Sequence, residues 1–203
     1  MKSFIIHETK KEKESLDYVL KKNVHLTLVV VLSQAMDTDV RVAVHLTGRG
    51  AQATIVGLVI GRGDHKISVH TQQLHDAPET TSNLLVKAAL MGGVQFTYDG
   101  VIRVARAAQK SDAYQKNENL LLSAHAHARS DPALEILAND VRCTHGSTTG
   151  KPNEDQLWYL ASRGLSRSVA EQLLVEGFFE HAIGTISDTI SQEKIRRILW
   201  QGT

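Results

Sequence analysis

Val40-Arg41-Val42-Ala43-Val44-His45-Leu46 alternates apolar and polar residues without a break, which puts Val40, Val42, Val44 and Leu46 on one face of an extended chain. The pattern returns at Val56, Leu58 and Ile60, at Ile67 and Val69, at Val94, Phe96 and Tyr98, and at Ile102 and Val104. A period of two, carried by β-branched residues, predicts half-buried strands. The breaks between them are rich in Gly and Asp: Gly48-Arg49-Gly50, Gly61-Arg62-Gly63-Asp64, Gly92-Gly93 and Asp99-Gly100. Residues 24–150 therefore read as strand after strand with no helix between. Such a run can close as a sandwich, a barrel or a β-helix. The two Gly-Arg-Gly turns lend weak support to a coiled repeat, and alternation alone leaves all three architectures open.

Outside this stretch the texture changes. Residues 1–23 are rich in Lys and Glu and read as an opening strand or lead-in, with a charged turn or short helix at residues 10–14. From about residue 151 the spacing becomes helical. Asn153 can cap a helix carrying Leu157 and Leu160, with Gln156 at the reciprocal capping position. Gly164 supplies a left-handed stop, against which Leu165 can fold back. Ser166 can cap a second helix whose stripe is Ala170, Leu173, Leu174, Gly177 and Phe178, interrupted at Gly184. A last short helix over residues 192–199 carries Ile195, Ile198 and Leu199.

Composition narrows the function classes. Hydrophobic residues make up 42% of the 203 and aromatics 5%, so the core must be built from Val, Ile, Leu and Ala. The formal net charge of +1 gives no general electrostatic reason to bind nucleic acid or an anionic membrane. A single cysteine, Cys143, cannot form an internal disulfide. The first residues lack the apolar stretch of a signal peptide, and the most apolar run, residues 24–32, is too short to span a bilayer. A cytoplasmic location is expected. The Gly-Arg-Gly turns are not followed by Gly-Lys-Ser/Thr, so no nucleotide site is expected in this chain.

The chemistry-bearing segment is Cys143-Thr144-His145-Gly146. In a strand, Cys143 and His145 project to one side, ~6–7 Å apart along the chain. A thiolate and an imidazole both ligate iron, but an iron–sulfur cluster takes four ligands, so a second subunit would have to complete the set. Arg142 flanks the thiol and would favour thiolate if its side chain approached it. The plainer reading makes Cys143 a small core residue and His145 a satisfied turn residue. His125 and His127 are candidates for further ligands, since about one β-helix turn separates them from Cys143. They read equally as exposed polar positions. His65, His70 and His75 fit neither a strand face nor a helix face and are assigned no site.

Four stretches carry a resemblance. They are Asn-Glu-Asn-Leu-Leu-Leu-Ser-Ala-His at residues 117–125, Pro132-Ala133-Leu134-Glu135-Ile136, Ala-Asn-Asp-Val-Arg-Cys-Thr-His-Gly-Ser-Thr-Thr-Gly at residues 138–150, and Asp-Gln-Leu-Trp-Tyr-Leu-Ala-Ser-Arg-Gly-Leu at residues 155–165. Their order and spacing resemble the C-terminal core of the SufB/SufD family of iron–sulfur cluster assembly proteins, the D-type subunit more than the B-type. The resemblance implies a mainly β chain: a right-handed parallel β-helix over residues 1–150 and a small helical region over residues 151–203. It implies a scaffold or accessory subunit rather than an enzyme, paired through its β-helix with a B-type subunit or a second copy. The helical tail would dock a SufC-type ATPase, with Trp158, Tyr159, Phe178 or Phe179 as its contact surface; the plainer reading makes it a cap over the open end of the β-helix. Iron or a transient cluster would be the cargo at the subunit interface. Cys143 and His145 match the D-type Cys-x-His-Gly motif. Residues 123–127 hold no counterpart of the B-type cysteine. Two other readings are an interaction module without cluster chemistry and a β-helix enzyme, the latter disfavoured by the scarcity of acidic residues on the strands.

Overall fold

The computed structural model describes residues 1–200. Eleven strands come first: β1 (Lys2–Glu8), β2 (Lys13–Leu20), β3 (His25–Leu32), β4 (Thr38–Leu46), β5 (Gln52–Gly61), β6 (Lys66–His75), β7 (Thr81–Leu90), β8 (Gln95–Val104), β9 (Asp112–Leu121), β10 (His127–Ile136) and β11 (Arg142–Gly150). Three helices follow: α1 (Glu154–Ser162), α2 (Arg167–Ile183) and α3 (Thr189–Trp200). The odd-numbered strands form one sheet in the order β1-β3-β5-β7-β9-β11, and the even-numbered strands form the other, β10-β8-β6-β4-β2. Every pairing is parallel. The chain thus climbs alternately through two sheets as a β-solenoid of about five turns, the β-helix among the three architectures that alternation left open.

The corners explain how the chain keeps climbing. At one corner each coil carries a residue with positive φ: Asn23, Gly50, Glu79 and Lys110. Their amides donate to the coil above, from Asn23 to Arg49, Gly50 to Pro78, Glu79 to Gln109 and Lys110 to Asp140. A Cβ on Gly48 would sit 1.9 Å from the Lys22 amide nitrogen, so the coils touch there too closely for any side chain. Gly63 and Gly92, both at positive φ, stack at the other corner. The two Gly-Arg-Gly turns lie at opposite ends of β5, which is why their spacing matches no coil repeat. The expected turn or helix at residues 10–14 is only the bend between β1 and β2.

Two apolar layers are built from opposite faces of the odd-numbered sheet. Leu26, Leu28, Val30, Ile55, Leu84 and Val86 point inward to meet Val40, Val42, Val44, Val69 and Phe96 of the other sheet. Val29, Val31, Val56, Leu58, Ile60 and Ala89 point outward and are covered by Val175, Phe179, Ala182, Ile183, Ile195 and Leu199 of α2 and α3. Burial on both faces makes β3 and β5 read as continuous apolar runs rather than alternating ones. Lys87 is buried on this outer face. Its Nζ lies 2.7 Å from Glu118 Oε2 and 4.1 Å from the centroid of the Phe178 ring, so its charge is paired and it helps to seat α2.

The helices correct three expectations. Asn153 and Ser166 cap α1 and α2 and Gly164 takes positive φ, as the sequence predicts. The buried stripe of α2, however, is Ala170, Val175, Phe179, Ala182 and Ile183, while Leu173 is exposed. The last helix begins earlier than expected, at Thr189. And the helices do not plug the end of the solenoid. They lie along the flat outer face of the odd-numbered sheet.

Inside the solenoid, aliphatic packing gives way to polar pairing in the later coils. Thr71 Oγ1 meets Tyr98 OH at 2.9 Å, and Gln73 Nε2 donates to Gln115 Oε1 at 3.3 Å. His75 is fully buried, its ring nitrogens 2.7 Å from Thr80 Oγ1 and 2.8 Å from Ser82 Oγ. Burial pushes its pKa down to about 4, against smaller opposing effects of Asp76 and Asp112. A folded pKa depressed below the unfolded value of about 6.5 gives stability that is fully present above pH 6.5 and is lost as pH falls toward 4. Between pH 7 and pH 5 His75 should therefore remove about 2 kcal/mol of stability. Urea unfolding of wild type and His75→Gln at both pH values checks this. The variant should lose less on acidification, and equal losses would contradict the assignment.

Candidate functional site

The last coil, β10 and β11, is the edge of both sheets. Among the described residues no strand pairs with their outer sides, so one row of backbone donors and acceptors on each is unpaired in strand fashion. The inward faces of these strands are also uncovered. By register Cys143 stacks on Ala113, His145 on Gln115, Ser147 on Asn117 and Thr149 on Asn119. Each lower residue of these four pairs is buried, whereas His145, Ser147 and Thr149 are exposed. Cys143 and His145 therefore do lie on one face of one strand, at the open end of the solenoid.

The two thiol and imidazole environments differ. Cys143 is half-buried and packs with Ala113 and Ala138 beneath the corner after β10. Burial pushes its thiol up. A backbone hydrogen bond with Ala113 offsets part of this, and the Asp112 carboxylate adds to it. Arg142 does not approach the sulfur. Its guanidinium is bound to Asp112, so the expected help toward thiolate goes to that carboxylate instead. His145 stands above Gln115, whose Nε2 has no hydrogen-bond partner, as Gln73 Oε1 has none.

Further along the same face lies a polar cluster that alternation did not single out. Asn119 Nδ2 donates to Asn117 Oδ1, to Ser130 Oγ and to Thr149 Oγ1, each at 3.0 or 3.1 Å, and Ser130 Oγ donates to Asn117 Oδ1 at 2.5 Å. It ties β9, β10 and β11 together. The signal for it is the Asn-x-Asn alternation at residues 117–119, which faces inward where the earlier strands carry Val and Ala. Leu134, Ile136 and Leu137 were also missed as surface residues. They belong to the final coil and its corner and are 37%, 39% and 55% exposed, because no further coil covers them.

The histidines at 125 and 127 do not join the site. Ser130 and Thr149 share Asn119, so the start of β10 lies beside the end of β11. Cys143, at the start of β11, is then roughly 20 Å from His127. His125 lies in the preceding turn, not on a strand, and both side chains are exposed. Among the described residues, no three or more His, Cys, Asp or Glu side chains converge as a metal site. Of the other histidines, His65 meets Asp37 and His70 lies between Asp39 and Asp99, and they share no site with His75.

The four aromatics expected as the docking surface separate into two pairs. Trp158 is 75% and Tyr159 53% exposed on α1. Phe178 is partly buried against Lys87, and Phe179 is fully buried in the layer beneath α2. Phe179 is therefore a packing residue and not part of a contact surface. The exposed set is completed by Val169 and Leu173 of α2, each 43% exposed. No helix among the described residues is long and apolar enough to cross a membrane.

Comparison with known proteins places this geometry. The family described as SUF system FeS cluster assembly, SufBD core domain, matches residues 11–178. An iron–sulfur cluster assembly SufBD family protein of Mycobacterium tuberculosis is 33% identical over 138 residues, covering 68% of this chain and 16% of that protein. The iron–sulfur cluster assembly protein SufD of Escherichia coli is 30% identical over 154 residues, covering 75% of this chain and 36% of that protein. A SufBD family protein of Synechocystis is 32% identical over 142 residues, covering 70% and 31%. The chain spans well under half the length of each of these relatives.

Replacing Asp112 by Asn should remove a negative charge beside the thiol and release Arg142 toward it. Alkylation of Cys143 by iodoacetamide at pH 8 should then be about two- to five-fold faster than in the wild type. An unchanged or slower rate would show that Asp112 does not raise the thiol pKa.

Proposed function

This chain belongs to the SufBD core-domain family of the SUF iron–sulfur cluster assembly system, and on that premise we propose that it is a docking subunit that presents Cys143 and His145 to a partner subunit at the open end of its solenoid. The observation that supports this most is that the unpaired strand edge, the exposed His145 and the half-buried Cys143 lie on one strand, β11. A second solenoid, either a B-type subunit or another copy, pairs along β10 or β11 and covers Leu134, Ile136 and Leu137. Main-chain hydrogen bonds give such an addition its affinity, and the buried apolar side chains fix its register.

The cargo is iron or a nascent cluster. Two ligands from this chain leave half of a four-ligand set to the partner, so binding depends on assembly. Burial and Asp112 hold the Cys143 thiol protonated, which delays ligation until iron is present to displace the proton. His145, exposed and without a hydrogen-bond partner among the described residues, is the more accessible of the two ligands.

The α1–α2 hairpin serves as the docking surface for a SufC-type ATPase, through Trp158, Tyr159, Val169 and Leu173. These four are exposed apolar side chains of the hairpin, as expected of an interaction patch. Removing the helices is not a usable test of this role, because it would bare the Val29, Val56 and Phe179 layer. Point substitution is the alternative.

Two measurements check the proposal. Anaerobic addition of iron and sulfide to the chain with a B-type partner should give thiolate-to-iron absorption that is lost in Cys143→Ala and at least halved in His145→Ala. Wild-type complex without such absorption would reduce the role to docking alone. In the second, the double variant Trp158→Ala, Tyr159→Ala should bind a SufC-type ATPase at least about ten-fold more weakly. Unchanged affinity would move the docking surface elsewhere.

A further inference from the structure

A cavity of about 530 Å³ lies where the first turns of α2 and the end of α3 cross the corner beside β5. Its walls are apolar, formed by Met91, Leu122, Val175 and Trp200. Only two ionisable groups line it, Arg62 and Glu171. Glu171 is already satisfied, its Oε1 accepting from Arg167 Nε at 2.8 Å. Arg62 is not. It is half-buried, and its Nη1 reaches only the Ser33 carbonyl at 3.5 Å. Among the described residues no carboxylate pairs with it, in contrast to Arg49, Arg142, Arg167 and Arg196, which all carry Glu or Asp partners. Burial lowers the basicity of Arg62 with no charge partner to offset it.

A half-buried guanidinium without an anion among the described residues, at the rim of an apolar cavity of ligand size, is a recognition element lacking its counterpart. We propose that this cavity binds a small amphipathic acid, with Arg62 holding the carboxylate or phosphate and the Met91–Leu122–Val175–Trp200 walls holding the apolar body. The acid is favoured over an amine because the one acidic lining group already has its cation. It is favoured over a wholly polar anion because most of the lining is hydrocarbon. The cavity joins the solenoid to α2, so the ligand bridges the two parts and fastens the helical region against the odd-numbered sheet. This site lies on the side face of the solenoid, apart from the Cys143–His145 end, and does not depend on the cluster assembly reading.

The test uses the intact chain and three probes of one chain length: decanoate, decanol and decylammonium. Isothermal titration should show one decanoate bound per chain, with decanol and decylammonium at least ten-fold weaker. Arg62→Gln should bring decanoate down to the level of decanol. Ser168→Trp, at an exposed position on the cavity rim, should fill the space and abolish binding of all three. Thermal unfolding of each variant confirms that it is folded. No decanoate binding by the wild type, equal binding by wild type and Arg62→Gln, or tightest binding of decylammonium would each overturn the proposal.

Discussion

Each coil of this molecule is held by parallel ladder hydrogen bonds to the coil before it and the coil after it. That constraint determines the rest. Interior strands satisfy both sides of their backbone, and side chains at equivalent positions stack in columns through the whole sheet. A coil at the end of the stack cannot do so. It must be covered by something else or be used for pairing. Here the final coil, β10 and β11, is left uncovered, because the helices that could have capped it lie on the side face instead. The same strand carries Cys143 and His145. The open edge and the exposure of His145 therefore have one physical cause.

The columns also explain why the interior changes character along the stack. The middle coils stack Leu28, Ile55 and Leu84, and the next two positions in that column are Gln115 and His145. A polar side chain stacked inside a solenoid needs a partner in the same coil or the next. The Asn117, Asn119, Ser130 and Thr149 cluster supplies this for part of the last coils. Gln115 Nε2 is left buried without a partner beneath His145, which is exposed at the open end. The end of the solenoid thus presents polar side chains, whereas its centre is a hydrocarbon core.

Much of this could be read from the sequence. Strands such as β4 alternate because one of their faces meets water. The caps Asn153 and Ser166 and the stop at Gly164 follow from local backbone requirements. What could not be read depends on tertiary placement. The face that α2 buries was mistaken because the helix is apolar on two sides: Leu173 and Val169 on one, Val175 and Phe179 on the other. Only the position of the odd-numbered sheet chooses between them. His127 reads as a neighbour of Cys143 only if the stretch between them is one coil, but a coil runs from Ala113 to Cys143, so the two residues lie about half a coil apart on opposite sheets. The two sheets run in opposite directions, so that separation ends at the far end of the strand. Arg142 was expected at the thiol and instead follows Asp112, its neighbour in the ladder register. In each case the sequence names the residue correctly and the packing decides what it touches.

The central claim is that β11 is an open edge whose pairing partner is another solenoid subunit. Hydrogen exchange of its backbone amides measures this directly. In the isolated chain, amides of β11 bonded to β9 should be protected and those on the opposite side should exchange as fast as a turn. On mixing with a B-type subunit, the second set should become protected together with that of Leu134 and Ile136. Uniform protection of β11 in the chain diluted to a monomer, or no change on adding the partner, would contradict the account.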